Sequence, residues 1–94
     1  MSEGEVRSAR RWALRALGRR MHTEFEIRES LKKRGFGEGV AGSVVDELAA
    51  QGYLDDHQFA MTWVKSRSLH QLHGRLRLLR DLRRKGVPDE IAES

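Results

Sequence analysis

The chain repeats itself. Shifted by 51 residues, it places Ala9 on Ala60, Trp12 on Trp63, His22 on His73, Leu31 on Leu82, Gly35 on Gly86 and Ala41 on Ala92. Between these identities, Met21/Leu72, Ile27/Leu78, Phe36/Val87, Val40/Ile91, Lys32/Arg83, Lys33/Arg84 and Arg34/Lys85 keep their chemical character. Self-similarity of this length marks tandem units that cannot bury their apolar faces alone and stack to share a core. The register predicts one three-helix unit over residues 1–52 and a second over 53–94. Ser94 falls on Ser43, inside the third helical pattern of the first unit, so the second copy reads as unfinished and the chain as part of a longer architecture.

The expected fold is all-α, with about six helices. No stretch alternates with period two in β-branched residues, so no strand is predicted. Val6, Ala9, Ala13, Leu17 and Met21 recur at helical spacing over about Glu5 to Met21. Thr23 followed by Glu26 reads as a capping box, and the helix it opens turns Ile27 and Leu31 inward before Lys32-Lys33-Arg34-Gly35 stops it. A third helix starts near Gly37-Glu38 and carries Val40, Val44, Val45 and Leu48 to a stop at Gly52, where Tyr53 and Leu54 are expected to plug the core. Asp55 or Asp56 caps the fourth, which holds Phe59, Ala60, Trp63 and Val64. A fifth follows His73-Gly74 with Leu76, Leu78, Leu79 and Leu82 inward and stops at Arg83-Arg84-Lys85-Gly86. Pro88, at a first-turn position, begins a sixth.

Composition limits the chemistry. There is no cysteine, so thiol catalysis, disulfides and cysteine-held metals are excluded. The apolar runs are too short to cross a bilayer, and the N-terminus lacks a signal-peptide core, which predicts a soluble cytoplasmic protein with no membrane contact. His70 and His73 come together only if one helix runs through both, but Gly74 predicts a helix break there, and no acid stands between residues 57 and 80 to complete a zinc site. Gly35-Phe36-Gly37-Glu38-Gly39 lacks the Lys-Ser/Thr of a phosphate loop, and capping accounts for Asp55-Asp56. Neither enzyme activity, nor a cofactor, nor a metal is expected.

Charge is informative by position. The net charge is +4, but six arginines and no acid lie between Arg7 and Arg20, and six basic residues accompany Asp81 alone between Arg75 and Lys85. Such a chain can present basic surfaces to phosphates while its acids face elsewhere.

Gly52-Tyr53-Leu54-Asp55-Asp56-x-x-Phe59-Ala60-x-x-x-Val64-x-x-Arg67 resembles the signature of the RecX family, bacterial modulators of the RecA recombinase. Gly74-x-Leu76-x-x-x-x-x-Leu82-x-x-Lys85-Gly86-Val87 follows at the family's spacing. The first copy matches as well, through Ala13-Leu14-x-x-Leu17, Arg20-x-His22-Thr23 and Ile27-x-x-x-Leu31-x-x-x-Gly35-Phe36. The resemblance implies tandem three-helix repeats, of which this chain holds the first and most of the second. It also implies binding in the groove of the recombinase–DNA filament and restraint of ATP hydrolysis, strand exchange and filament growth, without catalysis.

The first candidate partner-binding face is the fifth helix, with Arg75, Arg77, Arg80, Arg83, Arg84 and Lys85 around its leucines. Arginine forks match phosphate and carboxylate oxygens. A helix C-terminal dipole accounts for the last three cations but not for Arg75 and Arg77, where positive charge opposes it. Lys65 and Arg67 extend this face. Arg10, Arg11, Arg15, Arg19 and Arg20 form a second candidate patch, for which a solvated surface is the plain alternative. Trp12 and Trp63 could stack on bases, but their equivalent positions favour packing. Three functions fit: a regulator of the RecA filament that meets protein and single- or double-stranded DNA phosphates together; a helical DNA-binding module independent of the recombinase; and a scaffold whose arginines meet acidic protein. A monomer is expected.

Overall fold

The computed structural model describes residues 2–70 and 74–93, without the side chains of 67–70 and 75. Among these residues there are six helices and no strand: α1 Glu3–Arg19, α2 Glu24–Lys33, α3 Glu38–Ala50, α4 Asp56–His70, α5 Arg75–Arg84 and α6 Asp89–Ala92. They stack as two three-helix units into a rod of 46 × 22 × 22 Å.

The 51-residue register survives in three dimensions. Gly35 and Gly86 adopt φ of 99° and 86°, conformations that residues with a Cβ seldom take. Each closes a Schellman motif. Gly35 and Phe36 donate to the carbonyls of Lys32 and Leu31 at 3.0 and 3.1 Å, and Gly86 and Val87 donate to those of Arg83 and Leu82 at 3.0 Å each. Leu31 and Leu82, the anchors of these turns, are fully buried.

In the first unit Ala9 and Ala13 of α1 lie against Ile27 and Leu31 of α2 and Val40, Ala41, Val44, Val45 and Leu48 of α3, with Leu54 closing the base. The alanines let α1 approach closely, so a short chain still fills its interior. In the second unit Phe59, Ala60, Leu82 and Val87 form the buried cluster, flanked by Trp63, Val64 and Ile91.

Several local expectations are corrected. α1 starts two residues earlier than expected, because the Ser2 hydroxyl accepts from the Glu5 amide at 3.1 Å, and it ends at Arg19, leaving Met21 outside. Tyr53 is no core plug; it is 59% exposed, and Leu54 alone points inward. Leu76 is 77% exposed. At ~100° per residue it lies ~160° around the helix from buried Leu78, so four leucines cannot share one stripe. Pro88 is the residue before α6 rather than its first turn.

Candidate functional site

The two units meet at the N-terminus of α2. Thr23 is buried there, and its hydroxyl both accepts from the Glu26 amide at 3.0 Å and donates to the Lys85 carbonyl at 2.5 Å. The Glu26 carboxylate accepts from the Thr23 amide at 3.1 Å, which completes the capping box predicted from sequence. The same carboxylate stands 3.7 Å from the Lys85 ammonium. Asp55 caps α4 by accepting from the Gln58 amide at 3.1 Å. Asp56 instead accepts from the Glu24 amide at 3.0 Å, so the second unit supplies a cap to a helix of the first. Burial pushes the Asp56 and Glu24 carboxyls above their ordinary range. His22, beside this joint, is lowered by burial first and then by Arg20. A Cβ on Gly86 would overlap the Phe25 side chain, which explains why Phe25 stands off the Ile27–Leu31 line: it lies against the bare turn of the neighbouring unit.

The tryptophans pack as a related pair. Arg34 covers the Trp12 ring at 3.4 Å and Lys85 covers Trp63 at 4.6 Å, and both partners are related by the 51-residue shift. Trp12 Nε1 donates to Ser30 Oγ at 3.4 Å, and Phe59 stacks on Trp63 with centroids 6.2 Å apart. These cations do more than complement a helix end; they clamp the first helix of each unit to the second. Aligning the Arg34/Lys85 pair beside the Trp12/Trp63 pair would have revealed this from sequence. The joint itself leaves no such mark, because a repeat register says nothing about how units stack.

The candidate cations fall into tied and untied groups. On α5, Arg83 pairs with Asp89 at 3.0 Å, both exposed, and exposed Arg84 pairs with half-buried Asp81, while Lys85 just after the helix turns inward to Glu26 and Trp63. Arg77, Arg80 and Lys65 are exposed, and none stands in an ion pair among the described residues. The side chains of Arg67 and Arg75 lie outside the described residues. On α1, Arg10 grips Glu47 of α3 through two hydrogen bonds of 2.5 and 2.8 Å, which raise its own pKa and hold Glu47 below the usual carboxylate range. Arg20 folds back on the Met21 carbonyl and Glu26 at 2.8 and 3.4 Å. Arg11, Arg15 and Arg19 are exposed and stand in no ion pair among the described residues. Thus the second patch keeps three of its five members for a partner.

Chemistry of other kinds is not assembled. Among the described residues no group of three His, Asp or Glu side chains could hold a metal ion, and His73 lies outside them. A cleft of about 290 Å³ beside the joint is lined by Arg20, Met21, Phe59, Thr62, Trp63 and Ser66, with no acid. Among the described residues no helix is long and apolar enough to cross a membrane.

Comparison with known proteins agrees with this architecture. Residues 9–48 match the family description "RecX, first three-helix domain" and residues 55–94 match "RecX, second three-helix domain". The regulatory protein RecX of Prosthecochloris aestuarii is 40% identical over 93 residues, covering 99% of this chain and 62% of its own length. That of Mycobacterium sp. (strain JLS) is 42% identical over 86 residues, covering 92% and 47%. The chain therefore spans about half the length of the curated relatives it matches. The crystal structure of RecX from Lactobacillus salivarius superposes with a TM-score of 0.94 at 21% identity, over 98% of this chain and 60% of that one, and so shares the fold. A second solved structure, a regulatory protein RecX, gives 0.91 at 26% identity over 95% of this chain and 45% of that one. With two consecutive three-helix units matched in order, the chain belongs to the RecX family.

Proposed function

We propose that the chain regulates the RecA recombinase, binding the recombinase–DNA filament and restraining its ATP hydrolysis, strand exchange and growth. The observation that carries this reading is family membership across both units, over residues 9–48 and 55–94. The mechanism is steric and electrostatic rather than catalytic. A rod 46 Å long reaches across neighbouring filament subunits, and its joint holds the two units, 1–52 and 53–94, at one angle. Exposed cations on both units then meet DNA phosphates or acidic groove walls: Arg77, Arg80 and Lys65 on the second, Arg11, Arg15 and Arg19 on the first. Arg83 and Arg84 join them by exchanging weak surface pairs for a partner's oxygens. The protein acts as a monomer in the cytoplasm.

Fluorescence anisotropy on naked single strands and on pre-formed RecA filaments separates the readings. Preference for the filament, with weaker and salt-sensitive binding to naked DNA, is expected. Equal binding to both would make the chain a plain DNA module. Filament binding with no DNA affinity at all would make it a protein-only scaffold, and binding to neither removes the proposal.

A further inference from the structure

Helix α1 has two opposite faces. Counting ~100° per residue, Ala9 and Ala13 mark the face buried against α2 and α3. The sector ~180° away holds Arg7, Arg11, Arg15 and Arg19, and between Arg7 and Arg19 its only other residues are Ser8 and Gly18. All six are exposed, and Arg7, like the other three, stands in no ion pair among the described residues. Glu3 and Glu5 of the first turn fall outside this sector, and Glu47 is occupied by Arg10 on the flank facing α3. The four arginines stand one turn apart, ~6 Å each, in a row ~18 Å long.

Two features set this row apart from a solvated helix face. A surface that only needs solubility mixes both signs of charge at i,i+4 positions; here every such step repeats the same sign, which isolated helices resist. Gly18 is the second feature. It lies exposed in the last turn of α1 without a positive φ, and a Cβ there would meet nothing within 4 Å, so neither backbone conformation nor internal contact requires it. A glycine in that position beside arginines permits close approach of a partner's backbone.

We infer that the outward face of α1, Arg7, Arg11, Arg15 and Arg19 with Gly18 between the last two, is a nucleic-acid backbone-binding face. It takes phosphodiester oxygens one per arginine, contacts that position a strand without reading its sequence. This deepens the filament reading and rests on it for its biological setting: α1 meets the DNA, leaving α5 to the protein. Arg10 and Arg20, tied to Glu47 and Glu26, position the helix rather than touch DNA.

The test compares wild type with R7Q/R11Q/R15Q/R19Q and with R77Q/R80Q, measuring affinity for a labelled oligo(dT) strand and for a duplex across a salt series. Four lost phosphate contacts lower the magnitude of the log–log salt slope by ~2.8 on single strands and ~3.6 on duplex. The α1 variant is expected to show such a drop on at least one substrate, whose size names the form preferred, with affinity at least ten-fold weaker, while the α5 variant keeps its slope. A wild-type slope in the α1 variant, an equal loss in the α5 variant, or no DNA binding by wild type overturns the inference. If the four-fold variant melts early, Gly18→Leu carries the test by adding bulk without removing charge: several-fold weaker binding at an unchanged or raised melting temperature supports the inference, and wild-type affinity overturns it. Failure of the filament reading is seen separately, as RecA ATP hydrolysis that wild type leaves untouched while the DNA results stand.

Discussion

The two units share a register but not a build. In the first, a buried cluster of ten residues, Leu54 among them, is sealed by a 13-residue α3; in the second, among the described residues, the buried cluster holds four, and Leu78 is buried outside it. Their turns are superposable in chemistry, Gly35 with Gly86 and Leu31 with Leu82, and both tryptophans lie under a cation. Thus the repeat specifies helices, stops and clamps, while the two units brace each other through Thr23 and Phe25 of the first and Asp56 of the second.

Truncating the equivalent leucines gives the largest contrast. Leu31→Ala should cost ~3–5 kcal/mol, because the surrounding core is enclosed and collapses little. Leu82→Ala should cost ~2–3 kcal/mol, since the smaller cluster relaxes into the space. Urea titrations with a shared slope measure both, and equal losses would break the contrast.

The glycine turns come next. Gly35→Ala and Gly86→Ala both force a left-handed conformation, at ~1–2 kcal/mol. Only Gly86→Ala also drives a methyl group into Phe25, which should add ~1–3 kcal/mol. Adding Phe25→Gly, which also removes the Phe25 Cβ that the new methyl group meets first, should erase that excess in a double-mutant cycle but leave the Gly35→Ala cost unchanged. Thr23→Val should then lose ~1–2 kcal/mol, since one hydroxyl serves the α2 cap and the joint together, whereas its equivalent Gly74 has no side chain to lose.

The smallest effect concerns pH. His22 titrates below its ordinary value when folded, so the unfolded chain binds the proton first as pH falls. Stability should therefore decline as pH drops through ~6.5 and level off below the folded pKa. Melting temperatures from pH 7.5 to 5.5 should show the decline in wild type and a flatter profile in His22→Gln. The raised carboxyls of Asp56 and Glu24 act in the opposite direction, adding stability as pH falls through their folded range.

Much of this is legible in the residues. The 51-residue register, the capping box at Thr23 and the glycine stops are local signals, each with a mechanism that tertiary context does not overrule. Leu76 and Tyr53 mislead because their apolar character suggests burial; the angle around α5 and the Schellman turn after Gly52 point them outward. Asp56 reads as a cap on its own helix because sequence shows only neighbours, and its true partner lies 32 positions away. In the same way, Arg10, Arg11, Arg15, Arg19 and Arg20 read as one patch until Glu47 and Glu26 claim Arg10 and Arg20.

The most direct measurement titrates this chain into RecA assembled on single-stranded DNA and follows ATP hydrolysis. A rate that falls with added chain and saturates, with R7Q/R11Q/R15Q/R19Q shifted to higher concentration, is the expected result. A rate that stays constant at every ratio would contradict filament regulation by these two repeats.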